Sequence, residues 1–131
     1  MVAVAPPSPE TEPPVLDQAY LDDMAGYVGR QSLAELLDSA PAALLDELAA
    51  MAAAWEKRDF PTLREAAHRL AGATGAIGAA RLSRHARHCL NLAEPEFTPG
   101  LFAVLAQLAE QTLAALAGFH AQVTPVPPNP Q

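Results

Sequence analysis

The stretch Ala66-Ala67-His68-Arg69-Leu70-Ala71-Gly72-Ala73-Thr74-Gly75-Ala76-Ile77-Gly78-Ala79-Ala80-Arg81-Leu82 decides how this chain is read. Together with Leu63 upstream, Ala67, Leu70 and Thr74 recur every three or four positions, the mark of one buried helix face. Three glycines within seven residues then loosen that helix and turn the chain. Beyond them Leu82, Ala86, Cys89 and Leu92 or Ala93 resume the period, which predicts a further helix over about 79–93. Ala and Leu dominate the 131 residues, half of which are hydrophobic, and β-branched residues are scarce. An all-α domain follows.

Working outward, helix punctuation divides the rest of the chain. A short first helix is expected from about Asp17 to Val28, ending near Gly29 and carrying Leu16, Tyr20, Met24 and Val28 on one side. Ser32, with Glu35 three residues on, reads as the capping box of a long second helix reaching about Arg58, kinked or divided by Pro41. Asp59 caps the helix that holds His68. Thr98 caps the last helix, with Pro99 at its first position and Phe97 placed to staple onto Phe102. Leu101, Leu105, Leu108, Thr112, Leu116 and Phe119 form its inward face. Short connections between long helices imply an up-down antiparallel four-helix bundle with a short additional N-terminal helix. Residues 1–14 and 122–131 are proline-rich and read as disordered tails around a domain at 15–121.

The net charge of −7 disfavours nucleic acid as a partner. The charge is unevenly placed: Lys57–Leu92 holds seven basic residues and two acids, the remainder one basic residue and thirteen acids. A basic segment in an acidic background can steer an acidic partner or steady a bound phosphate; it can equally be a solvated helix face. Cys89 is the single cysteine, so no internal disulfide forms. The first residues lack a basic n-region and a continuous apolar stretch, and no charge-free run of about 18 apolar residues occurs. The expectation is a cytoplasmic chain with no membrane span. Gly-rich nucleotide loops, GxSxG, HExxH and paired CxxC are all missing, so an ordinary enzyme site is poorly supported.

His68 falls opposite the Leu63–Ala67–Leu70 face, grouped by the helical pattern with Arg64, Ala71, Gly72 and Gly75. Helical side chains lean toward the N-terminus, so residues three and four positions on cover the surface beside a given residue. For His68 these are Ala71 and Gly72, which leave it uncovered. Gly72 costs roughly 0.5–1 kcal/mol within a helix, and clearance above His68 is a reason for it; termination of the helix is the plainer one. A neutral imidazole Nε2 attacks phosphorus without a base to activate it.

These residues resemble the signature of histidine-containing phosphotransfer (HPt) domains, roughly AHxLKGxxxxxGAxxL, matched by Ala67, His68, Leu70, Gly72, Gly78, Ala79 and Leu82. The similarity extends to Asp59–Leu63 and the preceding helix, and spans about 16–120. It implies a four-helix bundle that accepts a phosphoryl group on His68 from a receiver-domain aspartate and passes it to another receiver. Such a chain is a phosphocarrier in a two-component phosphorelay of the bacterial type, not a stand-alone catalyst. Its implied partners are response-regulator receivers and a (hybrid) histidine kinase. It needs no cofactor of its own, because the receiver brings Mg²⁺, and it is expected to be a monomer. The family's usual Lys three residues after the His is replaced by Ala71. Arg64, one turn before His68, and Arg87, from the next helix, are the candidate substitutes for steadying phosphate. Arg69 is turned about 100° away and is less well aimed.

A rival reading is an HPt-like interaction module that binds receivers, or dimerises, without carrying phosphate; the Ala71 change favours it. A purely structural bundle would bind no receiver. His85, His88 and Cys89 share a helix and suggest a metal, but a closed zinc site takes four ligands and Cys89 falls on the apolar stripe, so no metal site is assigned.

Overall fold

A computed structural model describes residues 12–123, which form five α-helices and no strand. They are α1 (Gln18–Val28), α2 (Arg30–Glu56), α3 (Phe60–Ala76), α4 (Ala80–Cys89) and α5 (Pro99–Val123), with a 3-10 turn at Glu94–Glu96. α2 packs on α3, α3 on α4, α4 on α5, and α5 returns to α2, enclosing one core. α1 stands outside this ring, against α2 and the α3–α4 turn.

Side chains start three of the helices, at Asp59 and Thr98 as the sequence predicts and at Asp17 in addition. Asp17 accepts from the Tyr20 amide at 3.1 Å, and Thr98 Oγ1 from the Leu101 amide at 3.2 Å. Asp59 accepts from both the hydroxyl and the amide of Thr62, at 2.7 and 3.3 Å. Those two bonds, the hydroxyl first, hold its carboxyl below the usual range.

Four local expectations are corrected. Ser32 caps nothing: Gly29, at φ +88°, turns the chain directly from α1 into α2, leaving Ser32 inside the helix. Of the two outcomes expected at Pro41, a kink or a division, the division is ruled out: α2 runs 27 residues through it, and Leu37, Ala40 and Leu44 are buried around it and hold the helix to the core. α4 ends at Cys89 rather than near 93. Phe97 and Phe102 do not staple together. Phe97 pairs with Phe60 at 5.8 Å between ring centroids, while Phe102 stacks on Trp55 at 4.8 Å.

The glycine-rich stretch also behaves differently from its reading as a loosened helix end. α3 continues through Gly72 and Gly75, and only Gly78, at φ +71°, leaves the helical region. A Cβ at Gly78 would lie 2.9 Å from Tyr20 Cδ1, too close for any side chain. Here α1 is fastened: the Asp17 amide donates to Gly78 O at 2.8 Å, and Tyr20 OH to Ala76 O at 2.9 Å.

Residues 1–11 and 124–131, most of the two expected tails, lie outside the described residues. At the inner edge of the first, Pro13 and Pro14 accept from the side chain and amide of Arg81 at 3.0 and 3.1 Å. By length and composition α5 is apolar enough to cross a membrane. The sequence reading passed over it because Glu110 interrupts the uncharged run. Its Leu105, Leu108, Leu116 and Phe119 face the core of the bundle.

Candidate functional site

His68 lies in the middle of α3, held in place by its neighbours rather than by contacts of its own. Leu63, Ala66, Ala67, Leu70 and Thr74 are buried, and the Thr74 hydroxyl returns a bond to Leu70 O at 2.7 Å. The backbone beneath His68 is therefore rigid. The imidazole is exposed, and among the described residues no hydrogen bond or ion pair engages it. One turn on, Gly72 is exposed and a Cβ built there meets nothing within 4 Å. Open space thus stands at Gly72, one turn on from His68.

The grouping of Ala71 with the outward residues is corrected. Ala71 is only 5% exposed, because α4 covers that side of α3: Ser83 Oγ donates to Ala71 O at 3.2 Å. Ala fits this seam, and a longer side chain would have to escape along it.

The arginines expected near phosphate are committed elsewhere or displaced. Arg64 donates through Nη2 to Leu92 O at 3.1 Å, forming a strut between α3 and the chain leaving α4. Arg69 pairs with Glu47 of α2, its Nε 2.9 and 3.2 Å from the two carboxylate oxygens. The Arg87 guanidinium lies over Gly75, Nη2 being 3.5 Å from where a Cβ would stand. Gly75 is seven residues from His68, on the same face but about 10 Å along the axis at 1.5 Å per residue. In this arrangement no arginine head is shown beside the imidazole.

Past Gly75 the face opens into a cleft of about 290 Å³, lined by Asp17, Tyr20, Gly75, Ser83, Arg84 and Arg87 among others. Sequence reading missed this cleft. Ser83 carried a faint signal, since it continues the Ala79–Ala86 period as well as Leu82 does; Tyr20 and Asp17 carried none, because their arrival depends on where α1 docks. The His85, His88 and Cys89 grouping does not converge. Cys89 is in the core, and its thiol is pushed up to about 11 by burial. His85 Nε2 instead faces Glu12 at 3.4 Å. Among the described residues no three His, Cys, Asp or Glu side chains are placed to share a metal ion.

The family model described as Hpt domain matches residues 31–117, about two thirds of the chain. The match takes in α2, α3 with His68, α4 and most of α5, and leaves α1 outside. Neither the curated proteins nor the solved structures compared contain a significant match. With an exposed histidine in mid-helix, a glycine-cleared face beside it and a model match over its helical core, the chain belongs to the Hpt domain family.

Proposed function

We propose that His68 carries the phosphoryl group in a phosphorelay, taking it from the aspartate of one receiver domain and giving it to another. Hpt domains as a family are phosphocarrier modules that work with receivers and histidine kinases. The observation that carries the assignment to His68 is its exposure on a rigid helix, unpartnered, beside the open space at Gly72. In the reaction the Nε2 lone pair of the neutral imidazole attacks phosphorus in line. The bond from phosphorus to the aspartyl oxygen breaks, and the receiver recovers its carboxylate. The imidazole keeps its Nδ1 proton, and the reverse step returns the group to a second aspartate. Charge at the transferring group is neutralised from the receiver side, where its Mg²⁺ resides. The closed ring of helix pairings supports an up-down antiparallel arrangement of α2–α5. The proposed setting is the cytoplasm.

The test is transfer of labelled phosphate from phosphorylated receivers. Wild-type protein should acquire acid-labile, base-stable label, and His68→Gln should acquire none while keeping its helicity and melting temperature, since His68 is exposed. Label in the variant at His85, His88 or His120 would refute the assignment. A second reading, receiver binding without phosphate, is favoured by one observation: Ala71 replaces the family's lysine and Arg64 and Arg69 are engaged elsewhere. Under that reading receivers bind the wild type and leave it unlabelled.

A further inference from the structure

We infer that the cleft beyond Gly75 is a docking point for a carboxylate side chain of the receiver domain, with Arg87 as the residue that selects it. The inference rests on the phosphocarrier reading of His68 and adds where this chain distinguishes one receiver from another.

Arg87 differs from the other arginines of its segment in its partners. Arg64, Arg69 and Arg81 each donate to an acceptor of this chain. For Arg87, among the described residues, no ion pair is found, though it is exposed. Its guanidinium lies over Gly75, Nη2 being 3.5 Å and Ser83 Oγ 3.6 Å from where a Cβ would stand. Arg84 adds a second cation to the wall. The one acid there, Asp17, already accepts from the Tyr20 amide as the cap of α1. Ser83 Oγ already donates to Ala71 O, so the guanidinium is the donor group on this wall, and in an open cleft of about 290 Å³ it suits a planar bidentate carboxylate.

Position makes that carboxylate the receiver's. A standard interface covers about 800 Å² per partner, a disc roughly 16 Å in radius. The cleft is about 10 Å from His68 on the same face, so a receiver centred on the imidazole necessarily covers it. Covering Arg87 without pairing it would bury an unpaired charge, which penalises receivers lacking an acid at this point. The wall contributed by Tyr20 of α1 and its cap Asp17 lies outside residues 31–117 matched by the family model. Arg87 itself stands on α4 within the matched residues, so the cleft joins a cation of the shared bundle to a wall from outside it.

Phosphoramidate labelling of one sample of wild-type protein serves as the control for His68, and unlabelled protein is then given purified phosphorylated receivers of the same organism. For the fastest receiver, the half-saturating concentration and the rate at saturation are measured for wild type, Arg87→Gln and Arg87→Lys, with circular dichroism confirming the fold. Arg87→Gln should raise the half-saturating concentration about tenfold and leave the saturated rate within about twofold. Arg87→Lys should recover part of the loss. Replacing the paired receiver acid by its amide should cost the same factor, and the double variant no more. An unchanged half-saturating concentration overturns the proposal. A loss confined to the saturated rate also overturns it, because Arg87 would then act on the phosphoryl group. Phosphate inhibiting more than chloride at equal ionic strength would make the cleft a free-anion site, and overturns it too. Wild type that accepts from no receiver sinks the phosphorelay reading itself, a result distinct from wild-type transfer insensitive to Arg87.

Discussion

Gly72→Gln sets stability against transfer at one position. Gly72 lies inside α3, its φ is not positive, and a Cβ there meets nothing within 4 Å. The added Cβ therefore has room, and helix propensity alone should stabilise the protein by about 0.5–1 kcal/mol. For a domain of this size that is a rise in melting temperature of about 2–5 °C. The same side chain leans back one turn, over His68. Confining it to rotamers clear of the imidazole costs about 1–2 kcal/mol in side-chain entropy, before any contact with the receiver is counted. At 1.4 kcal/mol per factor of ten, receiver-driven transfer should slow by roughly tenfold or more. The assay is the ratio of labelling by a phosphorylated receiver to labelling by phosphoramidate, which is small enough to pass the glutamine. That ratio should fall while the protein melts higher. Equal loss with both donors would place the defect in the imidazole and refute the steric account.

Ala71→Lys, which restores the family's usual residue, should lower the melting temperature, because the seam beneath α4 leaves Ala71 only 5% exposed; overpacking of this kind costs about 1–3 kcal/mol. An unchanged melt combined with slower loss of phosphate from His68 would show that the lysine stem finds a way out along α3. Burial raises the Cys89 thiol from 9.0 to about 11, so between these values the folded chain keeps a proton that the unfolded chain has released. Stability attributable to this group is constant below about pH 9 and falls as pH rises toward 11, by up to about 1.4 kcal/mol per unit. Denaturant melts across that range should show the slope in wild type and lack it in Cys89→Ala.

The helices and the identity of the exposed histidine were legible because both rest on local signals. Asp59 and Thr98 cap where expected, and the Leu63–Ala67–Leu70 face is buried as its period demands. Ser32 misled because a capping box is a statement about four residues, whereas Gly29 had already started the helix. Ala71 misled for a different reason. A helical wheel distinguishes inward from outward but does not say how far a second neighbour wraps round, and α4 reaches that flank through Ser83. The arginines were placed by sequence distance from His68, while their heads are drawn to Leu92 O and Glu47, acceptors far away in the chain. The cleft was invisible because it joins residues about 60 positions apart.

The attachment of α1 bears on timing. Only Leu21 within that helix is buried, and the helix is secured largely through Gly78 O and Ala76 O at the α3–α4 turn. It should therefore be the first unit to open under native conditions, its amides exchanging with solvent well before those of α3. When α1 lifts away, Asp17 and Tyr20 leave with it, and the cleft loses one wall while His68 keeps its helix. The nucleophile and one wall of the recognition surface thus reside in units of unequal stability. A receiver that engages the cleft must hold α1 down, and by reciprocity α1 opening loosens the receiver. Release of a spent partner could then be set by the breathing of an eleven-residue helix, leaving the chemistry at His68 untouched.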